Sequence, residues 1–212
     1  MEEFEIYKNF IPQNSIIYDI GAHIGAMSNF FIENGAKHVY AFEPSHYNIP
    51  ELKHNTQHYS NITIFDVALN NEQNTYNTRF KDCRVDGELD REQNIQYVIL
   101  ENFIKENKLE LPDFVKLDIE GMESIVLTTF DFLFTGRRPV IYVEIHAAER
   151  GTNYQNYLNN PHWRWPQDGG FDFNKLKEFN YRIILSNGSE LNPKIDYNPS
   201  ENSHTSYVLL PN

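Results

Sequence analysis

The chain has 212 residues, 40% of them hydrophobic and 15 of them Phe, which suits one domain with a full core and excludes a disordered chain. Its formal net charge is −12, and its most basic stretch, the pair Arg137-Arg138, falls short of the clustered Lys and Arg that a nucleic-acid or anionic-membrane partner needs. The single cysteine, Cys83, allows no intrachain disulfide and no cysteine-based zinc site, and no apolar run reaches membrane-spanning length, so a cytoplasmic protein is expected.

Met1-Glu2-Glu3 has the wrong charge for a signal peptide. Residues 2–11 place Phe4, Tyr7 and Phe10 at helical spacing, and Pro12-Gln13-Asn14-Ser15 is a turn. An apolar run predicts a strand over 16–20, ending in the turn that carries Gly21 and Gly25. Met27, Phe30 and Phe31 then fall at helical spacing over about 25–34, and Gly35 stops that helix. A second apolar run at 38–42 ends in Glu43. Strand, glycine turn, helix and parallel strand make one βαβ unit.

Beyond it, Ser45 or Asn48 is placed to cap a second helix, with Pro50 near its first turn. A third strand is expected at 62–66, then a polar stretch at 70–94 with an added hairpin near 76–80, then a strand end and helix over 97–107. Residues 114–119 are nearly all apolar, as a parallel strand buried on both faces should be. A helix at 123–133 and a strand at 140–146 follow. The stretch 147–170 breaks the rhythm; it is rich in Asn, Tyr and Trp and ends in Gly169-Gly170. A helix at 171–179 and strands at 181–186 and 205–210 complete the chain, the last two read as an antiparallel hairpin closing the sheet. The chain 1–212 is thus expected to be a single domain with a lid-like, acceptor-binding insertion at 147–170.

Glycines in the first turn let a ligand approach the backbone, because no Cβ intervenes. An acid at the end of the second strand, Glu43, can accept hydrogen bonds from both ribose hydroxyls. A nucleoside-containing cofactor is therefore expected. The turn reads Asp19-Ile20-Gly21-Ala22-His23-Ile24-Gly25, with two glycines where a dinucleotide fingerprint has three. Its carboxylate would repel a pyrophosphate, whereas it suits a cationic sulfonium and ammonium. The stretch resembles motif I of class I S-adenosylmethionine (SAM)-dependent methyltransferases. Further on, Lys116-Leu117-Asp118-Ile119-Glu120-Gly121-Met122-Glu123 is similar to the K-I-D-x-E-G-x-E segment of the FkbM-type methyltransferases. The order around it also matches: Phe42-Glu43-Pro44 before it, then Arg138-Pro139 and a strand ending in Glu144 and His146. One departure is His23, where that family usually carries Asn.

The resemblance implies a Rossmann-like, seven-stranded, mostly parallel α/β sheet with a C-terminal antiparallel hairpin, helices on both faces, and SAM as cofactor. The family's association with glycosyltransferases implies a sugar or glycan acceptor, with a glycosyltransferase as neighbour or fusion partner. Polar residues crowd the strand ends where such sheets bind ligands: Asp19 and Gly21, Glu43, Asp66, Asp118 and Glu120, Glu144 and His146. The expected cofactor contacts are Asp19, Gly21, His23, Gly25, Glu43, Asp66 and Asp118. Asp66 equally reads as a turn cap. Residues two apart can share a strand face, so Asp118 with Glu120 and Glu144 with His146 could converge on an acceptor. His146 is the expected general base with Asp118 as partner, the reversed roles being the runner-up. Glu120 and Glu144 read either as acceptor contacts or as structural caps. In the cap reading, Glu120 bonds the backbone amides around Gly121. Trp163 and Trp165 read as stacking surfaces for a sugar or as pins of the loop to the core. The competing reading is a Mg²⁺-dependent small-molecule O-methyltransferase built on Asp118, Glu120 and Glu144, although no spacing here requires a metal. A nucleic-acid N-methyltransferase would need an Asn- or Asp-Pro-Pro-aromatic motif after the fourth strand, which Asp118-Ile119-Glu120-Gly121 is not. An NAD(P) oxidoreductase lacks its third glycine, and a non-enzymatic binding relic stands as the last alternative.

Overall fold

Every residue of β1 (Ile16–Ile20) is buried, Asp19 included. Such a strand must lie in the middle of a sheet, covered on both faces. In the computed structural model, which describes residues 8–80, 91–146, 173–185, 188–190 and 204–212, it pairs in parallel with β2 (His38–Phe42) on one side and β7 (Phe114–Leu117) on the other. The sheet continues through β3 (Ile62–Phe65) beyond β2 and β8 (Val140–His146) beyond β7. It ends with β10 (His204–Pro211), antiparallel between β8 and β9 (Tyr181–Leu185). The order is β3-β2-β1-β7-β8-β10-β9, so the chain winds outward from β1, returns, and winds out on the other side. The strand order reverses between β1 and β7, where a crevice opens at their carboxyl ends.

Alternation on the strands sorts the core into two layers. Tyr18, Ile20, Phe42, Val115, Leu117, Ile141 and Val143 face one side, where they meet α3 (Leu100–Asn107), α4 (Glu123–Leu127), α5 (Asp131–Thr135) and α6 (Phe173–Glu178). Ile17, Val39, Phe114 and Tyr142 face the other, against Phe31 of α1 (Ala26–Glu33). On that second side Ala41 packs on Ile49 and Leu52 of α2 (Asn48–Thr56). Tyr18 is wholly buried, and its hydroxyl donates to the Glu110 carbonyl at 2.8 Å. Burial pushes that phenol well above its ordinary value.

Departures from the sequence reading have local causes. The helix expected at 123–133 is two short helices, because Thr128 and Thr129 turn their hydroxyls back onto the carbonyls of Ile125 and Val126 at 2.6 and 2.7 Å. Those bonds compete with the helix ladder. Of the two cap candidates Ser45 serves, its hydroxyl accepting from the Tyr47 amide at 3.3 Å and its carbonyl from the Ile49 amide at 3.0 Å; Asn48 is the first residue of α2 and its side-chain amide donates to Glu43 Oε1 at 3.0 Å instead. The added hairpin is larger than expected. Strands β5 (Asn74–Phe80) and β6 (Arg91–Val98) pair antiparallel, and with the short β4 (Ala68–Leu69) they form a second, three-stranded sheet. The helix expected at 2–11 falls mostly, and the insertion at 147–170 with Trp163 and Trp165 entirely, outside the described residues.

Gly25 sits at the N-terminus of α1 with φ +89, and a Cβ there would stand 2.7 Å from Leu52 Cδ1 and 2.9 Å from Thr56 Cγ2. Its place is fixed by α2 pressing on the turn. Gly25→Ala is expected to destabilise the fold by about 1–3 kcal/mol from backbone strain, with the clash adding to it, as read from equilibrium urea unfolding.

Candidate active site

The turn after β1 is made almost entirely of satisfied backbone groups. The amides of Gly21 and Ala22 both donate to the Phe42 carbonyl at 2.9 and 3.0 Å, and Gly25 donates to Ala22. Gly21 (φ +81) lies flat against β7's exit: a Cβ on it would meet the Asp118 carbonyl at 1.8 Å. His23 also has positive φ, +52. Asn and His enter that region more readily than bulky or branched residues, which is how His23 fits this turn. Its amide donates to Glu43 Oε2 at 2.8 Å.

Glu43 is 5% exposed, and its other oxygen accepts from the Ser45 amide at 2.9 Å as well as from Asn48. A carboxylate offers about four acceptor positions. With three used, one remains on Oε2. Glu43 therefore ties the glycine turn to the β2–α2 loop and keeps a single place for a ligand hydroxyl; a second ribose hydroxyl requires Asn48 to let go.

Beneath the turn runs a line of buried charge. Asp19 is fully buried and accepts from Ser28 Oγ at 2.6 Å. Across the ladder, Asp19 is in register with Lys116, whose side chain is 6% exposed. Lys116 Nζ donates to the Gly21 carbonyl at 2.6 Å and lies 3.2 Å from Asp118 Oδ2 and 3.6 Å from Asp19 Oδ1. Burial pulls the ammonium down, but Asp19, Asp118 and Glu43 together outweigh it and hold the group above its ordinary value. A raised lysine keeps its pairing energy at every pH below its unfolded value and loses it only in strong alkali. Lys116 is thus an ammonium throughout the working range.

Beside Gly21 a cleft, partly open to solvent, is floored by Ile20 and Phe42 and walled by Pro44, Val67–Leu69, Tyr97, Ile119 and Met122. That apolar lining suits the flat face of a nucleoside base. Tyr97 comes from the second sheet. Its hydroxyl is within 2.9 Å of Thr78 Oγ1, and burial raises its phenol. Gln93, on the same sheet, accepts from the His46 amide at 2.7 Å, and His46 stands 3.9 Å from the half-exposed Asp66 at the end of β3.

At β7's exit the strand stops at Leu117. The chain turns at Glu120 (φ +59) and Gly121 (φ +110), so Asp118 and the exposed Glu120 do not share a strand face as the spacing had suggested. A buried acid binds the backbone of this turn. Glu123, 1% exposed, does so, accepting from the Ile119 and Gly121 amides at 3.0–3.1 Å. β8 does continue as expected: Glu144 lies near the Tyr142 hydroxyl (3.4 Å), which also reaches Ser206 Oγ at 3.1 Å, and His146 is the last paired position, opposite His204. Among the described residues no three His, Cys, Asp or Glu side chains are grouped as metal ligands, and none of their helices is long and apolar enough to cross a membrane.

Lys116, Ser28, Glu123, Gln93 and Tyr97 carry no assigned role in the sequence reading. Lys116 and Glu123 stand inside the quoted segment, and a lysine in an otherwise apolar strand is a signal of pairing. Gln93 and Tyr97 gave none, since their contacts cross to distant loops.

The sheet order, the acid-bearing glycine turn and the strand-end acid together define a Rossmann-like methyltransferase fold. A family model described as the methyltransferase FkbM domain matches residues 19–183, and the chain belongs to that family, which implies SAM as its methyl donor. Among solved structures, a methyltransferase FkbM from Methylobacillus flagellatus KT is 18% identical, with a TM-score of 0.56 over 92% of this chain and 43% of its own. The chain thus spans less than half the length of that protein. A putative SAM-dependent methyltransferase from Listeria monocytogenes (11% identity, TM-score 0.52, covering 100% of this chain and 97% of its own) and Aeropyrum pernix fibrillarin with natively bound SAM (11%, 0.53, 95% and 68%) share the fold. No curated protein matches the sequence.

Ser28→Ala removes a hydrogen bond to a buried carboxylate and is expected to cost about 1.5–3 kcal/mol of stability, measured by thermal and chemical unfolding.

Proposed function

We propose that this methyltransferase moves a methyl group to a hydroxyl oxygen of a sugar or glycan, and works beside a glycosyltransferase. The observation that carries the donor half is the juxtaposition of Gly21, Glu43 and the apolar cleft. Glu43 would hold the ribose, Val67 to Leu69 and Tyr97 the adenine with Asp66 at its edge, and the turn from Asp19 to Gly25 with Asp118 the methionine end. The residues present fit that molecule. The cleft has the apolar lining, Glu43 Oε2 has an acceptor to give, and the acids around Lys116 outnumber it, which suits a cation. When bound, SAM supplies an electrophilic methyl group on a sulfonium.

The acceptor half rests on charge and on the family. Asp66 and Glu120 at the rim are exposed acids, and the net charge is −12. A neutral, hydroxyl-rich acceptor suits that rim better than a polyanion does. The protein's task is to align the acceptor oxygen and to take its proton. His146, at the last paired position of β8, is the proposed base, because an imidazole titrates near ~6.5 and can accept a proton at neutral pH. Asp118, already engaged by Lys116, is its proposed partner, and Glu144 a contact for the acceptor.

Glu43→Ala is expected to weaken SAM binding at least tenfold, since a charge-assisted hydrogen bond contributes roughly 1.5–3 kcal/mol; calorimetry that found unchanged affinity in the folded variant would move the ribose elsewhere. His146→Ala is expected to lower kcat by about two orders of magnitude with SAM affinity nearly intact. Turnover of that variant at the wild-type rate across the neutral range would remove His146 as the base. Loss of activity in EDTA with recovery in Mg²⁺ would favour the metal-assisted reading.

A further inference from the structure

Lys116 is a buried cation that the proposed chemistry leaves without a task. Its Nζ donates to the Gly21 carbonyl at 2.6 Å and is ion-paired with Asp118 Oδ2 at 3.2 Å and Asp19 Oδ1 at 3.6 Å. Asp19 Oδ1 has no hydrogen-bond donor of its own within reach, so the ammonium is what compensates it. Held between a carbonyl and two carboxylates, with its side chain 6% exposed, Lys116 does not act on a substrate.

Gly21 and Asp118 belong to two turns that meet beside the cleft. Gly21 belongs to the turn after β1, and Asp118 opens the turn after β7. Gly21 and Ile119 both line the cleft. The two turns already touch: the Asp118 amide donates to the Ile20 carbonyl at 3.1 Å, and Gly21 has no room for a Cβ because the Asp118 carbonyl is there. Lys116 bonds to both from below, where β1 and β7 are paired side by side.

We infer that Lys116 is a positioning residue for the methyl donor, a clasp between the Gly21 turn and the Asp118 turn that holds the Asp118 carboxylate and the Gly21 carbonyl in place for the cofactor's amino-acid end. The inference rests on the donor placement proposed above. It predicts a loss confined to one end of the ligand. Without the clasp, the carboxylate and carbonyl next to the amino-acid end lose their common donor, while the apolar walls of the nucleoside end, Pro44, Val67 and Tyr97, are untouched.

The test uses two probes that differ in that end alone. S-adenosylhomocysteine has the nucleoside, the thioether and the amino acid; 5′-methylthioadenosine has only the first two. Calorimetry on Lys116→Met is expected to show S-adenosylhomocysteine binding at least tenfold weaker and 5′-methylthioadenosine within twofold of wild type. Lys116→Arg, which keeps charge and donors, is expected to recover part of the loss. Leu133→Ala, a core truncation remote from the cleft, serves as the stability control and is expected to bind both probes like wild type while folded. Equal weakening of both probes, or wild-type affinity for S-adenosylhomocysteine in Lys116→Met, overturns the clasp. If Lys116→Met does not fold, Lys116→Gln decides: it keeps N–H donors and loses the charge, so it should still weaken S-adenosylhomocysteine selectively, and wild-type affinity there overturns the inference. Failure of the wild-type protein to bind S-adenosylhomocysteine at all overturns the donor reading itself, and the clasp with it.

Discussion

A single ammonium buried between two carboxylates sets the terms for the centre of this protein. Removing either carboxylate from water is costly, and so is burying the lysine; the arrangement is tolerable only because all three are brought within a few ångströms of one another. Asp19 and Lys116 are opposite each other in the ladder of β1 and β7, so their pairing demands that register. A one-residue slip of either strand would send its charge to the opposite face of the sheet and part the pair. The polar line also fixes which end of the sheet is reactive. It lies at the carboxyl ends of the two central strands, under the glycine turn, and charged groups continue outward from it to Asp118 and Glu43.

Around this centre the fold follows rules that act locally and are legible in the chain. Strands β1, β2 and β8 begin and end at the residues their apolar runs mark, because hydrophobic period and burial agree there. The reading weakened where a side chain's choice depends on distant partners. Thr128 and Thr129 break a helix that spacing alone would extend, since their hydroxyls compete for its carbonyls. Asn48 has the chemistry of a cap but spends its amide on Glu43. Glu120 and Glu123 are both acids near a glycine, and only the turn's geometry decides that Glu123 takes the amides. The second sheet was legible only as a hairpin. Its third strand is two residues long and joins β6 in parallel, a contact no local pattern announces.

The site shows the same division. The acids at the strand ends are visible because acids seldom belong in apolar strands. What each of them does is set by neighbours that the chain brings from far away. Glu43 is a ligand group and also a knot between two loops, which narrows what it can offer to a ribose. The second sheet reaches over the β2–α2 loop through Gln93 and supplies Tyr97 to the cleft wall, so a sheet separate from the central one shapes the pocket beside the glycine turn.

The position of β10 carries a consequence for how the molecule is made. It is the last described strand in the chain, yet it lies inside the sheet, between β8 and β9. Until it is synthesised, β8 has a bare edge of unpaired amides and carbonyls, and β9 has no neighbour on that side. Closing the sheet means bringing together segments about sixty residues apart in sequence, a non-local pairing that comes late and slowly. For that interval the nascent protein carries an open edge beside the strand that ends in Glu144 and His146, the kind of surface that chaperones shield and that pairs with other chains when they do not.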